Sequence, residues 1–161
     1  MTNVRDPLSP EERSRRMSLV RAKDTKPGLR VRRLVHAMGY RYRIHVQKLP
    51  GCPDMVFQGR RKVIFVHGCF WHQHNCAMGN RMPKSRVDFW RKKLEGNKKR
   101  GTEINRQLIA EGWSSFIVWE CQTRNSELSR LTSQLKDFLG PAGMFDKDAN
   151  SDSTSRTSLE K

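Results

Sequence analysis

The chain has 161 residues, of which 35% are hydrophobic and 30% are charged, and its 32 Lys and Arg residues against 16 Asp and Glu give a formal net charge of +16. This length fits one domain with or without tails, and no apolar run reaches the roughly 18 residues that a membrane span requires. The positive charge favours a polyanionic partner, namely DNA, RNA or an anionic membrane surface. The N-terminal segment lacks the apolar core of a secretory signal peptide, so we expect a cytoplasmic protein with reduced cysteines.

Two helices are predicted before residue 40. The segment Ser9-Pro10-Glu11-Glu12 has the pattern of a helix start, with an N-cap serine, a proline in the first turn and a capping-box glutamate. We expect this first helix to continue to about Arg21. A second helix begins at Thr25, carries apolar residues at helical spacing and ends at Gly39.

Four segments have the residue patterns of β-strands. Residues 40–46 alternate in polarity, and residues 54–57 form a short run after a Pro-Gly turn. Residues 62–66 and 113–120 are rich in β-branched and aromatic side chains, which is typical of buried strands.

The remaining residues predict helices and a tail. Residues 86–100 and 104–111 form basic helical segments that end before a glycine, and residues 125–139 form a last helix with leucines on one side. Residues 141–161 are rich in Ser, Thr, Asp and Asn, so we expect them to be disordered. The order of these elements predicts a small α/β sandwich, with a central mixed sheet flanked by helices.

A short segment of Cys and His residues, followed by a distant cysteine, predicts a structural zinc site. Cys69, His74 and Cys76 lie in one loop after strand 62–66, and Cys121 follows strand 113–120. If those strands are parallel neighbours, the four side chains meet and supply the tetrahedral N and S ligands that zinc prefers. The alternative is that they are buried free thiols, and Cys52, in a turn, is expected to be no ligand.

Three residues near the same strands are candidates for catalysis. Asp54 begins a strand, where a carboxylate can hold Mg²⁺, although an aspartate after a proline is also common in turns. His67 and His72 flank the aromatic pair of the loop. Each of these histidines could be a general base or a polar surface residue.

Aromatic residues within basic surroundings indicate contact with nucleic acid. Phe70 and Trp71 lie between the histidines, and Trp90 precedes a run of Arg and Lys. Such residues can stack on bases or insert between them. By contrast, Trp113 and Trp119 lie on a predicted strand and are expected to be in the core. The basic runs are either solvated helix faces or phosphate contacts.

Taken together, these residues resemble the very-short-patch repair (Vsr) endonuclease family. The matching segments extend from Arg13 to about Leu139, and the most specific is the run from His67 to His72 combined with the distant Trp-Glu-Cys. The other matches are Arg13-Ser14-x-x-Met17, Thr25-Lys26-Pro27, Leu49-Pro50-Gly51-x-Pro53-Asp54, Val63-Ile64-Phe65-Val66, His74-x-Cys76, Phe89-Trp90 with Asn97, and Gly112-Trp113 through Val118-Trp119-Glu120-Cys121.

The resemblance implies a restriction-endonuclease-like three-layer sandwich and a strand-specific DNA endonuclease. The family nicks DNA 5′ of the T in a T:G mismatch, the product of 5-methylcytosine deamination, and so initiates very short patch repair. By resemblance, Asp54 and the backbone carbonyl of Val66 hold a catalytic Mg²⁺, His72 is the general base, and His67 assists at the phosphate. The implied zinc ligands are Cys69, His74, Cys76 and Cys121. The implied intercalating residues are Phe70, Trp71 and Trp90 from the major groove and Met17 from the minor groove.

The resemblance also implies an organisation and partners. We expect an endonuclease domain over residues 1–140, in which residues 1–24 form a DNA-contacting helix region, and a tail over 141–161. The protein is expected to be a monomer associated with the nucleoid, to bind duplex DNA with a T:G mismatch, and to work with mismatch-repair factors.

Two departures from the family pattern affect the expected activity. Gly28 stands where the family usually has a Glu that supports the metal's water shell, and Gly101 stands where it often has an Asp. We expect an active enzyme that is weaker or needs more Mg²⁺. A non-catalytic protein that senses mismatches remains an alternative, and a zinc-knuckle-like RNA binder is a less favoured one.

Overall fold

The computed structural model describes residues 8–20 and 23–143. This part of the chain contains four α-helices and three β-strands, whose bounds are α1 Pro10–Ser18, α2 Lys26–Ala37, β1 Met55–Phe57, β2 Lys62–His67, α3 Val87–Ala110, β3 Ser114–Trp119 and α4 Leu128–Leu139. None of the helices in the described residues is long and apolar enough to cross a membrane. These helices and strands, together with one antiparallel and one parallel strand pairing, confirm the predicted small α/β fold with a mixed sheet.

The three strands form one sheet in the order β1-β2-β3. The central strand β2 pairs antiparallel with β1 and parallel with β3. The parallel register places Lys62 opposite Ser114 and His67 opposite Trp119, so both strands end at the same edge of the sheet. The segments that follow β2 and β3 therefore start close together, as the predicted metal cluster requires.

Helices cover both faces of this sheet. On one face, α2 and α4 bury Val31, Val35, Leu131 and other apolar side chains against β1, β2 and β3. On the other face, Leu108 of α3 packs with a second cluster that includes Trp113. Because successive strand residues point to opposite faces, neighbouring residues of β2 serve different clusters. This arrangement gives three layers, and it confirms Trp113 as a core residue.

The predicted strand over residues 40–46 is wrong. The structure shows only an isolated bridge between Arg43 and Val56 in this segment. Tyr40 is buried in the core, and its hydroxyl donates to the carbonyl of Gly140 at 2.5 Å. His45 has a positive φ of 58°, which interrupts an extended backbone. Because Tyr40 is held in the core and His45 has a left-handed backbone conformation, this segment does not form a continuous strand.

Other elements differ in their bounds. The capping box of α1 is present, with mutual hydrogen bonds between Ser9 and Glu12, but the helix ends at Ser18, and Arg21 lies outside the described residues. The two predicted segments between 86 and 111 form the single helix α3, since Gly101 does not break it. Residues 125–127 form a 3-10 turn before α4. Most of the predicted tail, residues 144–161, lies outside the described residues.

Candidate functional site

A cleft of about 310 Å³ opens between the sheet, the start of α2 and the inner face of α3. It brings together the predicted catalytic residues, since its walls include Asp54, Val66, His67 and His72. Their convergence follows from topology, because β1 begins beside the end of β2 in the antiparallel pair. On the side formed by α3, the cleft is lined by the polar side chains of Asn97, Arg100 and Asn105.

Asp54 is held in place by the central strand. Its Oδ2 accepts a hydrogen bond from the backbone N–H of Val66 at 2.7 Å. Burial raises the pKa of this carboxyl, and the Val66 hydrogen bond and the charges of Arg32 and His45 act in the opposite direction. A half-buried carboxylate is a donor that fits Mg²⁺, which takes oxygen ligands and keeps several waters. A cation there would offset the cost of burying the negative charge.

His67 and His72 form a stacked pair in the cleft, with ring centroids 3.8 Å apart and planes inclined by only 5°. Burial, with a smaller contribution from His72, lowers the pKa of His67 to about 4. Burial also lowers the pKa of His72. Both rings are therefore neutral near pH 7, so each has a nitrogen lone pair that can accept a proton.

The buried Nδ1 of His67 has no hydrogen-bond partner among the described residues. A buried polar atom without a partner is uncommon, and it indicates a missing water, ion or ligand. The residue that carries this atom is one of those that line the cleft.

The four predicted metal ligands form one cluster. The ligand atoms of Cys69, His74, Cys76 and Cys121 all lie within 4.8 Å of one another, so they could hold a metal ion. The Sγ of Cys121 is 3.5 Å from Nδ1 of His74. Three thiols and one imidazole at this spacing are typical of a structural zinc site. Cys52 is exposed and is not part of this group, as expected, although it lines the cleft.

Backbone amides around the cluster favour thiolates. The N–H of Gly79 donates to Cys76 Sγ, and the N–H of Cys121 donates to Cys69 Sγ, both at 3.4 Å. The Gly79 hydrogen bond, followed by that of His74, lowers the pKa of the Cys76 thiol to about 6. Burial raises the pKa of Cys69 to about 12, so a thiolate there needs a neighbouring cation.

Gly79 is required by the close approach of the chain to itself. A Cβ at this position would lie 1.9 Å from the carbonyl oxygen of His74, a distance that no side chain can occupy. The loop that carries the metal ligands therefore closes on itself tightly only with glycine here.

Trp119 was predicted to be a core residue, and this prediction is wrong. Instead of joining the core clusters, its ring stacks on His74 at 4.3 Å and meets the edge of His67 at 5.6 Å. It therefore links the metal cluster to the histidine pair. Its position as the last residue of β3, two residues before Cys121, was the signal that could have shown this.

Phe70, Trp71 and Trp90 form a half-buried aromatic cluster beside the metal ligands. Their ring centroids are 5.2 to 6.0 Å apart. The side-chain amide of Asn97 donates to the carbonyl of Trp71 at 3.1 Å, which ties this loop to α3. Lys93 Nζ lies 5.5 Å from the centroid of Trp71. The three aromatics are thus assembled at one surface beneath a cation.

Met17 and the two unusual glycines are also placed by the structure. Met17 lies on α1, a helix that contributes no buried residue to the core. Gly28 is buried at the start of α2, where a Cβ would lie 3.9 Å from Asp54 Oδ1. Gly101 lines the cleft, and a Cβ there would meet nothing within 4 Å.

The chain is similar to known DNA endonucleases. Residues 5–78 match the model of the family described as DNA mismatch endonuclease Vsr. The chain is 48% identical to the type II nicking enzyme V.XorIIP of Xanthomonas oryzae pv. oryzae, over 85% of this chain and 98% of the relative. It is 36% identical to the type II nicking enzyme V.NmeAIP of Neisseria meningitidis, over 82% of this chain and 97% of the relative. It is 35% identical to the DNA mismatch endonuclease Vsr of Escherichia coli K12, over 86% and 88% of the two chains.

Proposed function

Because the chain belongs to the Vsr family of DNA mismatch endonucleases, we propose that it nicks one DNA strand 5′ of the T in a T:G mismatch. Such mismatches arise by deamination of 5-methylcytosine, and the nick would initiate very short patch repair. The observation that carries the proposal is the cleft in which Asp54 faces the stacked neutral pair His67 and His72. That cleft adjoins an aromatic surface suited to inserting between bases.

The cleft residues divide the work of phosphodiester hydrolysis. Asp54 and the carbonyl of Val66 would hold Mg²⁺, which when bound polarises the phosphodiester and lowers the pKa of water. His72 takes the proton of the attacking water, since its pKa is lowered by burial and its ring is neutral. His67, stacked on it, fixes the orientation of that ring and would assist at the phosphate.

A zinc ion held by Cys69, His74, Cys76 and Cys121 would have a structural role. The loop between the first three ligands carries His72 and the aromatic pair Phe70 and Trp71. Fixing that loop at both ends positions the general base and the inserting side chains before DNA binds. Such preorganisation reduces the entropy that must be lost on binding.

DNA is the partner that the charge and the aromatic surface favour. The net charge of +16 attracts the phosphate backbone, and release of counterions supplies affinity that does not depend on sequence. Phe70, Trp71 and Trp90 would insert from the major groove, and Met17, on α1, from the minor groove. The boundary of the endonuclease domain near residue 140, the monomeric state and the mismatch-repair partners stay predictions.

The test is a nicking assay on end-labelled duplexes. Duplexes with a T:G mismatch in CTAGG-like and randomised contexts are compared with matched T:A duplexes, in Mg²⁺ and in EDTA. We expect a Mg²⁺-dependent nick 5′ of the mismatched T, no nick in T:A, and no nick with Asp54→Asn. Equal cleavage of T:A and T:G duplexes would contradict the mismatch specificity.

A second candidate function is a non-catalytic mismatch sensor. Gly28 favours it, because this position of α2, where a Cβ would lie 3.9 Å from Asp54 Oδ1, carries no carboxylate. Tight binding to T:G without cleavage at any Mg²⁺ concentration would support the sensor and refute the endonuclease.

A further inference from the structure

A second cavity adjoins the cleft on the far side of the histidine pair. It is an open groove of about 570 Å³ between α3 and β3. The two cavities share six wall residues, which are His67, His72, Gly101, Asn105, Ser115 and Ile117. The two cavities therefore adjoin each other at the histidine pair.

Gly101 lines both the cleft and the groove. It lies inside the 24-residue helix α3, where a glycine costs roughly 1 kcal/mol relative to alanine. Its backbone conformation is helical and no neighbouring atom would meet a Cβ within 4 Å, so neither strain nor close packing requires a glycine. The lack of a side chain leaves open space where the cleft and the groove adjoin.

The walls of the groove suit one nucleotide of a DNA strand. Ser115 Oγ donates to Asn105 Oδ1 at 2.5 Å, which orients the amide and leaves its N–H donors for a ligand. Lys98 and Thr102 also line the groove and supply a cation and a hydroxyl. Ile117 is 38% exposed and offers an apolar contact. An oriented amide beside an apolar side chain is a typical arrangement for contacting a base edge, and a lysine is typical for contacting a phosphate.

We propose that the cleft and the groove form one channel that holds the cut strand across the histidine pair. This inference rests on the proposed function. The phosphate that is cut lies at His67 and His72, and the adjacent nucleotide lies in the groove. Asn105, oriented by Ser115, contacts the base of that nucleotide and so determines which flanking base is preferred. Lys98 binds the next phosphate.

The specificity test uses T:G duplexes randomised at the two base pairs on each side of the cut. Nicking rates for all contexts are measured in one reaction by sequencing the products, for wild type, Asn105→Ala and Ser115→Ala. We expect both variants to flatten the preference at one flanking position by roughly 5- to 150-fold, the range for one lost base contact. The preference at the other positions is expected to remain.

The matched controls are neighbours that do not line either cavity. Gln107→Ala lies two residues along α3 from Asn105, and Ser114→Ala lies next to Ser115 on β3; both residues are exposed. We expect both controls to keep the wild-type preference. Unchanged preferences in Asn105→Ala and Ser115→Ala at every position would overturn the channel, as would equal flattening in the controls.

The same libraries are also selected for binding in EDTA. This separates the two proposals, because absence of nicking by the wild type refutes the endonuclease, whereas binding preferences that do not depend on Asn105 refute the channel.

Substitutions at Gly101 test whether the strand passes between the cleft and the groove. Nicking is expected to fall further as the side chain introduced at position 101 becomes larger. The loss should reach at least tenfold in Gly101→Leu, whose thermal stability should not fall. Full activity of Gly101→Leu would show that no strand passes this point.

Discussion

A carboxylate introduced at Gly28 tests the Mg²⁺ site proposed for the cleft. In Gly28→Glu, the new Cβ lies 3.9 Å from Asp54 Oδ1 and 3.1 Å from Thr25 Oγ1, so a slight shift of the threonine side chain accommodates it. The glutamate can then direct its carboxylate into the cleft, towards the cation that Asp54 is proposed to hold. We expect tighter binding of Mg²⁺, because a second negative charge lies beside the first.

The expected size of this effect follows from the geometry. A unit charge and a divalent charge about 6 Å apart interact by about 5 kcal/mol at an effective dielectric constant of ~20. Ordering the glutamate side chain and solvent screening remove much of this. If about 1.4 kcal/mol remains, the Mg²⁺ concentration for half-maximal nicking falls tenfold.

Gly28→Gln is the matched control, because it changes the helix in the same way without adding a charge. Gly28 is the third residue of α2 after the N-cap Thr25, so either Glu or Gln replaces a poor helix residue there. In thermal unfolding in EDTA, Gly28→Gln should gain about 1 kcal/mol, or 2–4 °C in Tm, whereas Gly28→Glu should gain less because its charge then lies beside that of Asp54 without a cation. The reasoning about the metal is refuted if Glu and Gln give the same Mg²⁺ dependence of the nicking rate.

Three further predictions address the other parts of the site. In His72→Ala, nicking is expected to fall by roughly 10²- to 10⁴-fold with mismatch affinity retained, as loss of a general base requires; a wild-type rate in single-turnover assays would remove His72 from that role. Cys121→Ser should lose bound zinc and unfold at a lower temperature, whereas Cys52→Ser keeps both; retained zinc in Cys121→Ser, measured by elemental analysis, would contradict the cluster. Trp90→Ala should weaken binding to T:G duplexes by roughly 5- to 150-fold, which is the effect of one lost stacking contact. Equal weakening for T:A duplexes in a binding titration would argue against insertion at the mismatch.

Local sequence signals predicted those elements whose stability is local. The capping box of α1 depends on residues three apart, and the central strand β2 on a continuous β-branched run, so both are found where expected. The metal cluster was also accessible from sequence. Its ligands follow the ends of two strands, and parallel pairing of those strands brings them together.

Features that depend on distant contacts could not be predicted in this way. The segment from Tyr40 alternates as a strand would, but Tyr40 turns into the core to reach Gly140, a hundred residues away in sequence. Trp119 has the pattern of a core residue, yet its neighbours are His74 and His67, which the loop after β2 supplies. In both cases the partner is set by tertiary packing, which competes with the local pattern and prevails.

Because the metal cluster lies at the ends of the paired strands β2 and β3, it can be complete only after β3 has been synthesised. Cys69, His74 and Cys76 emerge early, whereas Cys121 follows Cys76 by 45 residues and arrives only with the end of β3. A nascent chain that ends within α3 therefore has an incomplete metal cluster and no Trp119 to support its histidines. Completion of the catalytic cleft is thus linked to completion of the fold, so an unfinished chain is not expected to cut DNA.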